Sequence, residues 1–311
     1  MNLQQQILKR KKISDGTMKN YVANITKLHK AITNESEIKN LKFLEQKDKV
    51  DEYLSKLNST SRTNYYGVIL TLLDPDTELY ESYRKDKQEN NFQNKKKSET
   101  QVNQKIQDKV IDMKQYDEFL DKLRKSGMIQ DYVMFSMLLK YPIRNEIGGI
   151  EVIPLKEFKK LKEKTGNYLV MGSKQIFLYR TKYKTAKIYG DIKTIIDDKK
   201  FKKLLKDYIK DFDEGRTALF LNKKGTAMTN TETSNRLSYI SEKYIGKLLS
   251  TSSIFKIVLA NFKADDLKDY TDFIIKMGNI RGTNTNAIIQ YYVYKKSIKE
   301  INDEFKESKD D

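Results

Sequence analysis

The chain has 311 residues, a formal net charge of +17, no Cys, no Trp and a single His. A length of this order is typical of two domains, and the 38% hydrophobic content, with 20 Tyr and 13 Phe, indicates folded structure rather than a basic disordered tail. With no Cys and with His29 alone, neither a thiolate zinc site nor a Ser-His-Asp triad can be assembled. We expect His29 to lie on a helix flank with no catalytic task.

The basic excess is spread over both halves of the chain and favours a polyanionic partner such as nucleic acid. The alternative is that lysines simply cover solvated faces. No apolar run approaches the roughly 18 residues of a membrane helix, and MNLQQQILKRKK lacks the apolar centre of a secretion signal. We therefore expect a protein of the cell interior, cytoplasmic or nuclear, with no membrane partner.

Three or four helices are predicted in about the first 90 residues, and together they make a small all-α domain. Apolar residues recur at helical spacing over 17–32, over 50–57, and in a run that opens at Ser59 or Thr60 and stops at Asp74-Pro75. The third helix carries polar residues near its N terminus, where a helix can meet a phosphate, although a polar helix start is an equal alternative. These candidate DNA contacts are Arg62, Asn64 and Tyr66.

The segment from Glu81 to Lys109 is strongly polar. It is not expected to bury a core, so we interpret it as a helix tail followed by an exposed linker. The sequence therefore predicts domains at residues 1–98 and 99–311. Lys95-Lys96-Lys97 could contact a DNA backbone, although a solvated charge run is the commoner explanation.

The second half is predicted to be mostly helical with one small sheet. The run from 132 to 140 is apolar almost all round, so this helix is expected at the centre of the core. Strands are expected over 168–171, 175–179 and around 188–189, separated by turns at 172–173 and 182–187. The other predicted helices cover 113–123, 199–211, 230–243, 251–262, 266–276 and 284–306.

Four short motifs, taken in order, resemble the tyrosine recombinases, in particular the integrase-like branch carried by large DNA viruses and their satellites. They are YPIRNEIGGI (141–150), YKTAKIYG (183–190), IGKLLSTSSIFKIV (245–258) and MGNIRGTNTNAIIQYYVY (277–294). The resemblance implies a mainly α fold with a small antiparallel sheet: a helical core-binding domain followed by the recombinase catalytic fold. It also implies a clamp around double-stranded DNA and self-association there as a dimer or tetramer, to which the segment 297–311 could contribute.

The resemblance implies a definite chemistry. A tyrosine hydroxyl attacks a DNA phosphate and forms a 3′-phosphotyrosine, with no metal, nucleotide or other small-molecule cofactor. Two arginines hold the non-bridging oxygens, because a planar guanidinium matches a phosphate and stabilises the charge of the transition state. A lysine on a β-hairpin protonates the leaving oxygen, and a His-like residue assists proton transfer.

Two residues match the first part of this catalytic set. Arg144 matches the first arginine, since it follows a buried helix and a turn marked by Pro142; an ion pair on a loop is the alternative. Lys184 matches the hairpin lysine, with Lys187 as the near alternative, and both could reach into a minor groove.

The position of the second arginine departs from the family pattern. SSIFKI places Phe255 where the arginine is expected and Ser252 where the upstream His or Lys is expected. Lys256 is one residue late on a helix, which turns its side chain about 100° away. Arg236 and Arg281 are possible substitutes, although neither lies in a matching motif.

The nucleophile is expected in AIIQYYVY, as Tyr291 first, Tyr292 second and Tyr294 third. An aromatic stripe on a core helix is the alternative. Asn279 aligns with the residue that precedes the nucleophile, and its amide can still donate a hydrogen bond.

The resemblance thus predicts a DNA-binding recombinase or integrase that breaks and rejoins DNA site-specifically. Phe255 leaves open a second interpretation, a catalytically inactive DNA-binding protein of the same fold. A third, a lysine-rich nucleic-acid packaging protein, is disfavoured because packaging needs neither an Arg after a buried helix nor a two-domain pattern.

Overall fold

The computed structural model describes residues 2–100, 111–261, 267–286 and 288. The chain divides into two compact units, Met1–Asn103 and Gln104–Asp311. Within the described ranges no helix is long and apolar enough to cross a membrane.

The first unit is all helical. Its helices are α1 (Leu3–Arg10), α2 (Asp15–Thr33), α3 (Lys47–Ser55), α4 (Ser59–Leu72) and α5 (Glu78–Thr100), with a 3-10 turn at Lys42–Glu45. Ser14 and Asn58 cap α2 and α4 with their side chains, and α4 begins at Ser59, one of the two starts predicted for it. His29 lies buried on α2 and meets the ring of Phe43 edge-on at 4.8 Å between centroids.

The polar segment after residue 78 differs from its prediction, because it forms one continuous helix that buries part of the core. Tyr83 is fully buried, and its hydroxyl donates to the Leu44 carbonyl at 2.8 Å. Asn90 is also buried and donates to the Ser59 carbonyl at 2.9 Å. Tyr83 and Asn90 therefore dock α5 on the rest of the unit. Because they are few among many charged residues, the average polarity of the segment does not reveal them.

The second unit is mainly helical with one small sheet. Its helices are α6 (Met113–Lys125), α7 (Ile129–Lys140), α8 (Leu155–Lys160), α9 (Ala186–Tyr189), α10 (Lys199–Lys210), α11 (Asn230–Ile245), α12 (Thr251–Asn261) and α13 (Leu267–Arg281). A 3-10 turn at Asn145–Gly149 follows α7. As predicted, α7 lies at the centre of the core, where Val133 to Leu138 are all buried.

The sheet contains β1 (Ile150–Pro154), β2 (Asn167–Met171), β3 (Ile176–Arg180) and β4 (Ile192–Ile196), hydrogen-bonded in that order. It is mixed rather than antiparallel throughout, because β1 runs parallel to β2 while the other pairs are antiparallel. The strand expected around 188–189 is wrong: those residues end the short helix α9, and the strand starts at Ile192. An apolar pair near a turn suits either structure, so periodicity could not separate them.

Close packing fixes the loop that follows α7. A Cβ on Gly148 would stand 2.0 Å from the Thr233 hydroxyl oxygen on α11, so only glycine fits there. Asp131, on α7, is fully buried and forms a bidentate pair with Arg236 of α11, at 2.7 and 2.5 Å. These contacts hold α11 against α7 and its loop, and thereby fix the chain just beyond Arg144.

Candidate nucleic-acid interface

The candidate site of the second unit is built around the end of α13. The last carbonyls of a helix have no partner within it and must find donors elsewhere. Here three consecutive carbonyls accept hydrogen bonds from other elements. Ile280 accepts from Arg180, Arg281 accepts from Arg144 at 2.6 Å, and Gly282 accepts from the Thr185 hydroxyl.

Arg144 extends from the chain between α7 and the 3-10 turn. It is half-buried, and its Nη1 is the atom that donates to Arg281. A guanidinium has five N–H donors, so this bond uses only part of its capacity. Its direction is set by a rigid backbone on both sides, as the sequence predicts for an arginine after a buried helix.

Arg180 is a buried cation that sequence analysis missed. It is fully buried at the end of β3, and its Nη1 donates to the Glu146 carboxylate at 3.3 Å. Burial lowers the pKa of Arg180, and the charge of Arg144 lowers it further, while Glu146 opposes both. The alternation of Ile176, Leu178 and Arg180 along one strand face is a sequence signal that could have found it.

Arg281 places its guanidinium on Phe255. Its Cζ lies 4.3 Å from the ring centroid, and both side chains are buried. Its donors reach the Pro142 carbonyl at 3.0 Å, the Thr251 carbonyl at 3.4 Å and the Ser252 hydroxyl at 3.2 Å. Arg281 of α13 therefore packs against Phe255 of α12, the residue that stands where the resemblance expects an arginine.

The segment with the candidate lysines lies next to this arrangement. Gly282 has a left-handed backbone (φ 62°), and a Cβ there would stand 2.6 Å from the Tyr183 ring. Tyr183 and Thr185 both contact Gly282, and Lys184 between them is exposed. Arg144 donates to Arg281 and Thr185 donates to Gly282, and consecutive Cα atoms lie about 3.8 Å apart. The two side chains are therefore bound to neighbouring residues.

The local charge favours an anion. Arg144 and Arg180 donate to the carbonyls of residues 281 and 280, Arg281 belongs to the same segment, and among the described residues Glu146 is the carboxylate paired with this group. A region with this excess of fixed positive charge attracts a phosphate.

The other residues of this unit that the sequence suggested for the site have different environments. Asn279 is exposed on α13. Lys256 is half-buried, and burial lowers its pKa. Arg236 is committed to Asp131 and does not substitute for the second arginine. Tyr291, Tyr292 and Tyr294 lie outside the described residues.

In the first unit the structure separates the three candidate contacts on α4. Asn64 is exposed and Arg62 is half-buried. Tyr66 is buried, with its ring centroid 6.5 Å from that of Tyr83, so its predicted DNA contact is replaced by core packing. Arg62 and Tyr66 line a groove of about 330 Å³ whose other side chains include Asp51, Asp86 and Glu89, and these carboxylates disfavour a phosphate there.

No protein-family profile and no characterised protein sequence matches this chain. Among solved structures, the chain resembles the XerH site-specific recombinase bound to its difH substrate in a pre-cleavage complex, with a TM-score of 0.53 and 13% identity over 88% of this chain and 75% of that one. It also aligns with the XerA recombinase, with a TM-score of 0.43 and 11% identity over 98% and 97% of the two chains. The mainly helical fold with a small mixed sheet is therefore the fold seen in a tyrosine recombinase.

Proposed function

We propose that this chain is a tyrosine recombinase or integrase that binds double-stranded DNA and breaks and rejoins it site-specifically through a 3′-phosphotyrosine. The observation that carries the proposal is the meeting of Arg144 and the segment bearing Lys184 at two consecutive residues where α13 ends, Arg281 and Gly282. These are the residue types that the chemistry needs on either side of one phosphate. The fold and the net charge of +17 support the same proposal.

In this proposal Arg144 holds a non-bridging phosphate oxygen with its remaining donors, and Lys184 protonates the leaving 5′-oxygen. A tyrosine, Tyr291 first and Tyr292 second, forms the bond to phosphorus as the bond to the 5′-oxygen breaks. Asn279, exposed at the same end of α13, donates to the phosphate. The proposal includes assembly as a dimer or tetramer on DNA, and descent from the branch of large DNA viruses and their satellites that the four motifs resemble.

A second candidate function is a DNA-binding protein of the same fold that does not cut. One observation favours it: Phe255 is buried where the resemblance expects an arginine, and Arg281 directs donors to protein oxygens at Pro142 and Ser252. Removing one donor of this kind from an active site costs on the order of 10²–10³ in rate.

A suicide-substrate assay separates the two functions. The full chain is incubated with nicked duplexes from its own genomic flanks, denatured, and inspected for a covalent protein–DNA band, with DNA binding measured in parallel. A band that disappears in Tyr291→Phe or Tyr292→Phe establishes strand cleavage through that tyrosine. Binding without a band, on every flank sequence, would establish the non-cutting function; absence of binding would reject both.

Arg144→Ala tests the phosphate role, with Arg124→Ala as the matched control. Arg124 is an exposed arginine of the same unit, paired with Asp121 on α6. The proposal expects Arg144→Ala to abolish the band and Arg124→Ala to leave it unchanged. Equal effects of the two variants would contradict a specific role for Arg144.

A further inference from the structure

The turn between β3 and β4 presents an apolar side chain among lysines. We call residues 181–191 the α9 tip. Ile188 on this tip is 75% exposed, the highest value among the large apolar side chains that the structure describes as exposed, and Tyr189 beside it is 41% exposed. Lys182, Lys184 and Lys187 are exposed around them.

The α9 tip is held in place although its outer side chains are solvated. The Asn167 side chain donates to the Lys182 carbonyl at 2.8 Å, and the Tyr183 hydroxyl donates to the Gly190 carbonyl. Gly190 ends α9 with a left-handed φ of 65°, which closes the turn. A surface fixed in this way loses little conformational entropy when a partner binds.

The charge of the α9 tip is uncompensated within the described part of the chain. Its lysines have no carboxylate at ion-pair distance there, and its one acidic residue, Asp191, accepts from the Tyr179 hydroxyl at 2.5 Å. The tip is joined to the candidate site by the Thr185 bond to Gly282. An anionic partner that reaches Arg144 would therefore lie next to the α9 tip.

We propose that the α9 tip enters the minor groove of duplex DNA and that Ile188 inserts between two stacked base pairs as a wedge, next to the phosphate held at Arg144. This inference rests on the proposed DNA-binding function and adds a mode of DNA distortion to it. Proteins that kink DNA from the minor groove combine cationic side chains with an apolar wedge, and Ile is one of the residues that serve.

A second copy of the chain is a poorer occupant of this surface. The centres of protein–protein interfaces are depleted in Lys, whereas Ile188 and Tyr189 stand within a set of exposed lysines. Duplex DNA fits better, because its phosphates can pair with the lysines and its stacked bases can contact the apolar side chains.

The test uses the full chain and a short duplex with 2-aminopurine in pyrimidine–purine steps, the steps that unstack most easily. Unstacking raises the fluorescence of 2-aminopurine, while anisotropy of a labelled end reports binding. The variants are Ile188→Ala and, as the matched control, Ile129→Ala, an isoleucine 42% exposed at the start of α7. Sedimentation without DNA reports self-association.

We expect the wild type and Ile129→Ala to raise the fluorescence equally, and Ile188→Ala to lose at least half of the increase and to bind about tenfold more weakly, as expected for lost apolar burial. Binding with no increase in the wild type, or an equal increase in Ile188→Ala, overturns the wedge and leaves the proposed function standing. A change confined to sedimentation assigns the surface to a second copy and overturns it too. Absence of wild-type binding rejects the proposed function itself.

Discussion

Arg281 lies over the ring of Phe255 with its Cζ 4.3 Å from the ring centroid, and both side chains are buried. A desolvated guanidinium on an aromatic face is stabilised by about 2 kcal/mol. Phe255, at the position where the resemblance expects an arginine, thus packs against an arginine that comes from a different helix.

The pair predicts an asymmetric response to exchange. Phe255→Arg alone places two cations together in a buried position, and we expect it to lower the free energy of unfolding by about 3 kcal/mol. The double variant Phe255→Arg/Arg281→Phe keeps one ring and one cation, so it should recover at least half of that loss. Urea denaturation measures the free energy of unfolding of Phe255→Arg, Arg281→Phe and the double variant. If the loss in the double variant equals the sum of the losses in the two single variants, the stacking is contradicted.

Arg281 also has a positioning role, since its guanidinium holds the Pro142 carbonyl and its own carbonyl accepts from Arg144. Arg281→Met keeps the length of the side chain and removes those donors. We expect DNA affinity at low salt to fall by less than about threefold, because bulk charge dominates it. Any covalent product should fall on the order of 10²-fold, and Lys243→Met, a surface charge change on α11, should leave the product unchanged.

The bidentate pair of Arg236 with buried Asp131 is expected to stabilise the fold without serving DNA. Arg236→Ala leaves the carboxylate unpaired and should lower the free energy of unfolding by about 2–4 kcal/mol, less than for a fully buried pair because Arg236 is partly exposed. DNA affinity well below the melting temperature should stay unchanged. Loss of affinity in the folded variant would restore Arg236 as a phosphate ligand.

DNA affinity should fall steeply with salt. Each phosphate neutralised by a lysine or arginine contributes about −0.9 to the slope of log K against log salt. We expect Lys184→Ala/Lys187→Ala to reduce the magnitude of that slope by about 1–2, measured by anisotropy between dilute and physiological buffer. A flat response in the wild type would contradict polyanion binding altogether.

The link between Tyr141 and Asp197 predicts a dependence on pH. The Tyr141 hydroxyl donates to the Asp197 carboxylate at 2.8 Å and lowers the pKa of that carboxyl below its ordinary 3.8. Its contribution to stability is therefore present above about pH 4 and is lost as the pH falls through the lowered value. Tyr141→Phe should cost about 0.5–1 kcal/mol at pH 6, since Asp197 is well exposed, and the difference from the wild type should shrink toward pH 2.

Much of the helical architecture could be predicted from the sequence, because the caps at Ser14 and Asn58 and the apolar run of α7 are local signals. The docking of α5 could not, since it depends on Tyr83 and Asn90 finding partners far away in the chain. Likewise, the exposed pair Ile188 and Tyr189 carries the pattern of a strand and forms a helix.

The same distinction holds for the candidate site. Arg144 stays a prediction from its motif, in which a buried helix and a turn precede it. Arg180 shares a strand face with Ile176 and Leu178, which is a local signal, but its partners are not marked locally; the stacking of Arg281 on Phe255 likewise depends on contacts between elements. Tyr66, a predicted DNA contact, is buried for the same reason: a tyrosine near a helix start suits both core and surface.

The bonds that fasten the end of α13 also set an order of events during synthesis. The partners of Arg144 and Arg180 lie 137 and 100 residues further along the chain. Contacts between residues so far apart form late, because the intervening chain must be synthesised and closed into a loop first. A nascent chain that ends before residue 280 therefore carries its arginines without the backbone that orients them, and the site can assemble only after residues 280–282 have been synthesised.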